Sequence, residues 1–526
     1  MEKKRVVGAS LDNSLKLLAK TSVIVFVGVF LSKILAYAYR VIIARYYGPE
    51  VYGLFSLVIM ILGAIVAISS LGLVDGLSRF IPQYRGKRES NKISYLFRLT
   101  NKILLITSIF SAVLLFFLSE FIAVSIFHNS ALTILLKIMA FFVPIAVLSG
   151  PFLSTLRAYE MINSYSFIFN ILQNSIRVLA LIILVLFGFQ SSSVVTSYCL
   201  GFLAVLVASY LICKYKISEL FIKYNLFQKD KSIIRKSFFA YSFPLLFFGI
   251  VSMIFYWIDS FFLGYFKGVE SVGFYNAAVP IALLLAITPE LFMQLFFPMI
   301  NRHYSNKNNE LIKQLSKQLG KWVFMVNLPV FILIFVFPGA AINILFGSQY
   351  LVAQNALRIL IFGSFIASIA VISNNLLSMA GKSKLVLADI VIASVLNIIL
   401  NFILIPTPSI FGVDNSLGIN GAAIATALSM VFLNILFFFQ ARKYLRIMPL
   451  RAKMINILLM GLIPAIALFY LRNIFPSQNI ILIILMAASF LLVYAILVLI
   501  SRSLDENDWN IIKAIWRKVI KLHKSN

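Results

Sequence analysis

Residues 33–55 read KILAYAYRVIIARYYGPEVYGLF and combine cations, an apolar run and a turn signal. It places two cations, Lys33 and Arg40, inside an apolar segment that ends at the dipeptide Gly48-Pro49, a strong turn signal. A charged side chain at the centre of a membrane helix costs roughly 2.5–3.5 kcal/mol, so it normally faces a protein interior or water. The stretch therefore predicts a membrane helix with a cationic inner face, then a sharp turn into a second helix.

Composition extends this interpretation to the whole chain. The 526 residues are 61% hydrophobic and 12% charged, whereas soluble domains have about 45–50% apolar and about 25% charged residues. Apolar runs of about 20 residues, each long enough to cross a bilayer, recur from end to end. The sequence predicts an all-α, polytopic membrane protein without a separate soluble domain.

The net charge of +28 would suggest a nucleic-acid partner in a soluble protein. Here basic loops that set topology and lie near anionic lipid head groups explain the charge better, so we expect no nucleic acid. Cys199 and Cys213 provide neither a disulfide framework nor metal-ligand spacing. The basic start of the first apolar segment resembles a signal peptide, but the segment is too long, which predicts a retained helix.

Fourteen spans are predicted, and each has to be helical because lipid offers no partner for free backbone groups. Their approximate limits are 21–46, 51–75, 99–119, 131–156, 163–188, 193–213, 238–264, 272–298, 320–345, 353–379, 385–406, 418–441, 453–472 and 479–501.

The charges of the loops give the orientation. If the N-terminus is cytoplasmic, every loop after an even-numbered span is cytoplasmic too, and residues 79–102 and 214–236 each carry seven lysines or arginines. The opposite segments 120–130, 189–192 and 346–352 carry none. The positive-inside rule then predicts a multi-pass protein of the plasma or inner membrane with both termini in the cytoplasm.

The predicted organisation follows from these spans. It comprises an N-lobe of six helices (1–213), a basic cytoplasmic linker (214–237), a C-lobe of six helices (238–441), helices 13 and 14 (442–501) and a cytoplasmic tail (502–526). From residue 503 onward, apolar side chains fall on one helical face and cations largely around the other. This pattern predicts an amphipathic helix on the inner membrane surface, with a partner-docking helix as the alternative.

A repeat relates the two lobes. Residues 40–55 and 259–275 align with one insertion, and both copies show a helix, a glycine turn, a glutamate and then glycine with an aromatic residue. The offset is near 220 residues, or six helices, so both copies insert the same way round. This predicts a pseudo-twofold axis along the membrane normal, with the site between the lobes.

Polar side chains recur at helical spacing inside several spans. The cations Lys33, Arg40 and Arg177 predict a positively charged cavity that binds substrate. Further candidate cavity residues are Tyr37, Asn170, Asn174, Tyr256, Asn397 and Asn401. Asp259 takes the place of Arg40 in the repeat; we expect it to pair with an arginine in a salt bridge or, like Glu290, to couple transport to an ion or a proton.

Several of these residues have a structural explanation as well. Arg40, Arg45 and Glu290 can extend from near an interface towards its polar region, and for Arg45 this is the better interpretation. Asparagine and serine stripes often only join helices. Asp389 either faces the interior or lies near Lys384 at the cytoplasmic end of its span.

Residues 45–55 resemble the Arg-x-Leu-Gly-Pro-Glu-x-Tyr-Gly signature of polysaccharide (oligosaccharide) flippases, with a tyrosine where leucine is usual. Residues 272–278, 377–384 and 418–427 also resemble segments of that family. The resemblance runs from residue 20 to about 440. The family belongs to a superfamily with multidrug and toxin extrusion transporters and lipid II flippases.

The resemblance implies two six-helix lobes, alternating access, and transfer of a polyprenyl-(pyro)phosphate-linked oligosaccharide from the inner to the outer leaflet. We expect a transporter without catalytic residues, metal or cofactor, and H⁺ and Na⁺ are the candidate coupling ions. The expected partners are the lipid-linked oligosaccharide and membrane lipids; we expect a monomer that could contact glycan-assembly proteins.

Other functions remain as alternatives. A multidrug exporter or a lipid II flippase would belong to the same superfamily, although exporters of cationic drugs usually place carboxylates in the cavity. A polytopic glycan polymerase or glycosyltransferase would need catalytic groups on sizeable external loops, which are short here. No nucleotide-binding motif appears in the sequence, which argues against ATP coupling in this chain.

Overall fold

The structure is a computed structural model that describes residues 2–293, 296, 300, 309–410, 412–474, 480–501 and 503–504, with side chains from residue 28 onward. Its α-helices are α1 (Glu2–Ser69), α2 (Leu73–Gly86), α3 (Ser90–Glu120), α4 (Ala131–Ala158), α5 (Ile162–Ser166), α6 (Gln173–Leu186), α7 (Ser192–Lys216), α8 (Gln228–Phe266), α9 (Val269–Ala282), α10 (Asn309–Val336), α11 (Pro338–Leu345), α12 (Gln354–Met379), α13 (Ser383–Leu404), α14 (Ile419–Gln440), α15 (Lys453–Ile474) and α16 (Ile480–Ile500). Two short strands, β1 (Ser409–Ile410) and β2 (Val413–Asp414), pair antiparallel with Ser409 opposite Asp414.

The helices confirm the prediction of an all-α polytopic membrane protein. Within the described residues, 13 helical segments are long and apolar enough to cross a membrane. The first of them, Gly28–Ser69, has 42 residues, about twice the length that one crossing needs. It holds residues 28–46 of predicted span 21–46 and most of 51–75, so counting its two parts separately reproduces the fourteen predicted spans.

The predicted turn within α1 lies at Gly48. This residue has φ 81° and ψ −178°, a backbone conformation that side chains with a Cβ rarely adopt. Pro49 follows, and its fixed φ and missing N–H suit the first position of a new helix. The Gly48-Pro49 pair therefore turns the chain between two membrane crossings, as the sequence predicts.

The basic segments between spans are more helical than expected. The chain breaks at Leu71 and Gly72, both with positive φ, and then forms α2. The following helix α3 begins at Ser90, so most of residues 79–102 lies on helices and not in a loop. Within 214–236, α8 likewise begins at Gln228. Predicting spans from runs of apolar residues finds the part of each helix that lies in lipid and misses its polar extension.

The two copies of the repeat meet at a reciprocal glycine contact. A Cβ built on Gly53 would overlap the carbonyl oxygen of Val269, and one built on Gly273 would overlap the carbonyl oxygen of Pro49. The two virtual Cβ atoms also approach the backbone nitrogen of the opposite glycine, at 3.0 and 3.1 Å. Gly53 and Gly273 are 220 residues apart, and so are Pro49 and Val269. This symmetry supports the predicted repeat and brings the backbones of α1 and α9 into direct contact.

The chain divides into two compact units. One comprises Met1–Pro280, Leu345–Ala356 and Ile390–Ser429, and the other Ile281–Ile344, Leu357–Asp389 and Met430–Asn526. These boundaries differ from those of the predicted lobes, which stay a prediction. The predicted amphipathic tail from residue 505 onward lies outside the described residues.

Candidate functional site

Arg40 lies half-buried on α1, in the first unit, surrounded by tyrosines. Its guanidinium lies close enough to the hydroxyls of Tyr52 and Tyr37 for electrostatic interaction. The Tyr52 hydroxyl in turn donates a hydrogen bond of 3.0 Å to the backbone carbonyl of Asn276 on α9. Tyr52 is fully buried, and through it Arg40 is linked to α9, one residue beyond the second copy of the repeat.

Arg177, on α6, stacks on aromatic rings of α7. Its guanidinium carbon lies 3.7 Å from the ring centroid of Tyr198 and 5.1 Å from that of Phe202. Its Nη1 donates a long hydrogen bond of 3.4 Å to Oδ1 of Asn174, while its Nε is buried without a partner. Tyr198 also lies close enough to Arg40 for electrostatic interaction, so both arginines interact with this tyrosine. We call Arg40, Tyr52, Arg177 and Tyr198 the cationic cluster.

Neither arginine of the cationic cluster has a carboxylate partner among the residues that the structure describes. Their neighbours are tyrosines, one phenylalanine and an asparagine amide. Cation–π contacts offset part of the cost of taking a guanidinium out of water, but they leave its charge in place. The cluster is therefore suited to an anion, because a guanidinium binds phosphate with two parallel hydrogen bonds.

The other predicted residues of the first half lie around this cluster in different roles. Lys33 is half-buried on α1, seven residues before Arg40 and on the same helical face. Asn174 donates to Ser32 Oγ at 3.0 Å, which joins α6 to α1. Asn170 donates to Ser166 Oγ within its own helical segment, and the Tyr37 hydroxyl donates to the backbone carbonyl of Pro280. Asn174 and Tyr37 thus join helices, as the structural explanation of polar stripes expects.

Asp259, on α8, is the centre of a second polar cluster. One carboxylate oxygen accepts a hydrogen bond of 2.7 Å from Asn401, and the other accepts from the Tyr275 hydroxyl at 2.7 Å and from the Thr426 hydroxyl. Asn397 completes the group through contacts with Thr426 and Asn401. Asp259 is 4% exposed and both asparagines are 0% exposed. The cluster joins α8, α9, α13 and α14, and we call it the Asp259 cluster.

The Asp259 cluster corrects the expected salt bridge with an arginine. Within the described part of the chain, the groups that touch this carboxylate are neutral hydroxyls and amides. Asn397 and Asn401, one helical turn apart on α13, face Asp259 and supply the compensation that an arginine would give. The cluster has one negative charge and several oxygen atoms, including a buried Asn401 Oδ1 without a partner.

The remaining candidates stand apart from these contacts. Tyr256 lies on α8 but is 65% exposed. Glu290 is exposed and belongs to the second unit, whereas Asp259 belongs to the first. Among the described residues, no group of three or more histidines, cysteines and carboxylates could hold a metal ion.

Sequence reasoning missed the aromatic and hydroxyl partners in both clusters. These partners lie in apolar stretches of sequence, and their spacing does not distinguish them from side chains that only contribute to packing. They are Tyr52, Tyr198, Tyr275 and Thr426. Three of them, Tyr52, Tyr275 and Thr426, do lie in the stretches 45–55, 272–278 and 418–427, which carry the family resemblance. This overlap with the family resemblance was the available signal for these partners. A buried Asp259 needs hydrogen-bond donors, and residues in such stretches were the candidates to supply them.

Comparison with known proteins places this geometry in a family context. Residues 17–303, more than half of the chain, match the family described as polysaccharide biosynthesis proteins, and residues 244–403 match the MatE family. The chain is 24% identical to a putative O-antigen transporter of Shigella flexneri over 360 residues, which cover 65% of this chain and 80% of that protein. It is 30% identical over 195 residues to a probable low-salt glycan biosynthesis flippase of Haloferax volcanii, covering 37% of this chain and 39% of the relative.

The fold is similar to that of a solved transporter. A structure of the lipid II flippase MurJ in an inward closed conformation superposes with a TM-score of 0.68 over 90% of this chain and 98% of that protein. The sequence identity is 18%, so this likeness concerns the fold alone.

Proposed function

This chain belongs to the family of polysaccharide biosynthesis proteins, within the superfamily of flippases and multidrug exporters, and from that premise we propose its cargo. The cargo is an anionic polyprenyl-(pyro)phosphate-linked oligosaccharide, which the protein moves from the inner to the outer leaflet for the assembly of cell-surface glycans. The names of two relatives, an O-antigen transporter and a glycan biosynthesis flippase, support the glycan class.

The observation that carries the anionic part of this proposal is the cationic cluster. A pyrophosphate cannot cross hydrocarbon without a very large desolvation cost. Arg40 and Arg177 have no carboxylate partner among the described residues, and Arg177 keeps a buried N–H without an acceptor. The guanidinium groups would replace the water around the phosphates while the prenyl chain stays in lipid.

The transport cycle in this proposal is alternating access, with the repeat axis along the membrane normal. The basic segments face the cytoplasm, and both termini lie there too. In this arrangement the Gly48 turn, the Gly53–Gly273 contact and the Tyr52–Asn276 hydrogen bond lie towards the outer leaflet. They would hold that side shut while cargo enters from the cytoplasm.

A deletion experiment discriminates the glycan flippase from the multidrug exporter. Deletion of the gene is expected to remove the surface glycan and to accumulate its lipid-linked precursor inside the cell, with drug sensitivity unchanged. Surface glycans can be labelled with lectins, and the precursor can be measured in lipid extracts. Normal surface glycan together with drug hypersensitivity would contradict the proposal and favour the exporter.

We further propose that the Asp259 cluster binds a small monovalent cation, H⁺ or Na⁺, that couples to transport. Sodium prefers oxygen ligands, and the cluster offers the carboxylate, Asn401 Oδ1 and the Thr426 hydroxyl around one buried charge. A bound monovalent cation would neutralise the site. The hydrogen bonds of Asn401 and Thr426 to the carboxylate would then rearrange, which ties ion binding to the packing of α8, α13 and α14.

The ion proposal predicts a linkage between ion concentration and stability. A ligand that binds only the folded state stabilises it by about 2.7 kcal/mol at a hundred times its dissociation constant. The melting temperature of the purified protein is expected to rise with Na⁺ at constant ionic strength, or with proton concentration at constant Na⁺. Asp259→Asn is expected to remove that dependence. Equal responses of the wild-type protein and Asp259→Asn to both ions would contradict the assignment.

A further inference from the structure

A second buried aspartate lies in the other compact unit, outside both clusters. Asp389, on α13, is 3% exposed. Its Oδ1 accepts a hydrogen bond of 2.7 Å from Nε2 of Gln440, the last residue of α14. Its Oδ2 is buried without a partner, and so is Oε1 of the same Gln440. Asp389 and Gln440 are in contact, and each has one acceptor oxygen that receives no hydrogen bond.

The surrounding charges do not compensate this carboxyl. Among the described residues, Gln440 is the polar side chain that touches it. The titratable groups on the adjoining segments are Lys382 and Lys384 on one side and Arg442 and Lys443 on the other. Lys382 and Lys443 lie over the ring of Tyr444, at 5.0 and 5.6 Å, and Lys384 is exposed. An ionised Asp389 would therefore be a buried charge with one hydrogen bond, which is costly.

One added proton resolves both unsatisfied oxygens. A protonated aspartate has one O–H donor, and a glutamine amide offers both a donor and an acceptor. The two groups then form a ring with two hydrogen bonds, N–H to Oδ1 and O–H to Oε1. We propose that Asp389 and Gln440 form a proton-binding site, in which Asp389 Oδ2 holds the proton against Gln440 Oε1 and joins α13 to α14.

This site differs from the Asp259 cluster in the number of hydrogen bonds that its carboxylate accepts. The Asp259 carboxylate already accepts hydrogen bonds from three side-chain donors, whereas Asp389 has one. The inference does not depend on the identity of the cargo. In this proposal the protein carries a proton where α13 meets α14. Movement of these two helices relative to each other would open the hydrogen-bonded ring and release the proton.

Infrared difference spectroscopy tests the proton directly. In the purified full-length protein at neutral pH, we expect the carboxylic-acid C=O band of a protonated side chain, which shifts in D₂O. That band is expected to disappear in Asp389→Asn and to persist in Asp259→Asn, the matched loss of the other buried aspartate. Asp389→Asn is expected to fold normally, because an asparagine amide closes the same ring without a proton.

A second variant tests the amide partner. Gln440→Met removes the Nε2 donor, so the acid band is expected to move to higher wavenumber as its C=O loses that hydrogen bond. If the difference between wild type and Asp389→Asn shows an ionised carboxylate and no acid band, the proposal is wrong. An acid band that appears only after Na⁺ is removed would assign the site to a metal cation and would equally overturn the proton.

Discussion

Replacement of Arg40 or Arg177 by alanine is expected to reduce glycan export at least about tenfold, and the double variant is expected to reach background. Hydrogen bonds to charged groups contribute about 1.5–3 kcal/mol, and ~1.4 kcal/mol corresponds to a factor of ten. The loss should appear as lipid-linked precursor retained inside cells. Arg40→Lys is expected to retain part of the activity, because lysine keeps the charge but cannot bind phosphate with two parallel hydrogen bonds.

The control for these variants is Lys137→Ala. Lys137 is another half-buried cation in a membrane helix, and its ammonium lies 5.6 Å from the ring centroid of Phe116, outside the cationic cluster. Its removal is expected to leave export near the wild-type rate. Arg177→Ala should also fold as well as wild type, because it removes a charge that no carboxylate among the described residues neutralises. Wild-type export by the double arginine variant would refute the cargo site.

The second large effect is expected at the reciprocal glycine contact. On helix propensity alone, Gly53→Ala would stabilise the protein by about 1 kcal/mol. The added methyl group, however, would overlap the carbonyl oxygen of Val269, a backbone atom that no rotamer change can move away. Overpacking typically costs about 1–3 kcal/mol. Gly53→Ala and Gly273→Ala are each expected to force α1 and α9 apart, lower the melting temperature and reduce export at least tenfold.

Gly63→Ala provides the matched control on the same helix. Among the described residues, a Cβ at Gly63 meets no atom within 4 Å apart from its own helical turn, so this variant is expected to export normally and to melt at or above the wild-type temperature. The double variant Gly53→Ala/Gly273→Ala should lose less than the sum of the single losses, because both methyl groups disturb one contact. Equal behaviour of all three single variants would show that close approach of these backbones is not needed.

The sequence allowed the membrane architecture to be predicted because lipid imposes helices and long apolar runs. The turn at Gly48 and the 220-residue offset of the repeat could also be predicted. Both depend on glycine and proline, which are strong turn signals in a sequence. The polar extensions of the helices could not be predicted, because hydropathy alone makes residues 79–102 look like a basic loop. Side-chain pairing was less predictable still.

Asp259 shows why. An intramembrane aspartate has to be compensated, but the sequence cannot say whether an arginine or a set of amides and hydroxyls does so. The choice depends on which faces of α9, α13 and α14 meet α8, and the partners on α13 and α14 lie more than a hundred positions from Asp259 in the sequence. Arg40 and Arg177 could be predicted as candidates because a cation in lipid is costly anywhere, whereas nothing in the sequence distinguishes Tyr198, which interacts with both.

A flipping assay in proteoliposomes tests the anionic cargo directly. The probe is a fluorescent, short-chain polyprenyl-pyrophosphate-linked sugar, and the measured quantity is its transfer rate between leaflets. A neutral lipid-linked sugar of the same length and Arg40→Ala/Arg177→Ala protein serve as controls. We predict that the wild-type protein accelerates transfer of the pyrophosphate probe over protein-free vesicles, and of the neutral probe much less. Transfer of both probes at the same rate, or by the double variant as fast as by wild type, would contradict an anionic cargo held by the cationic cluster.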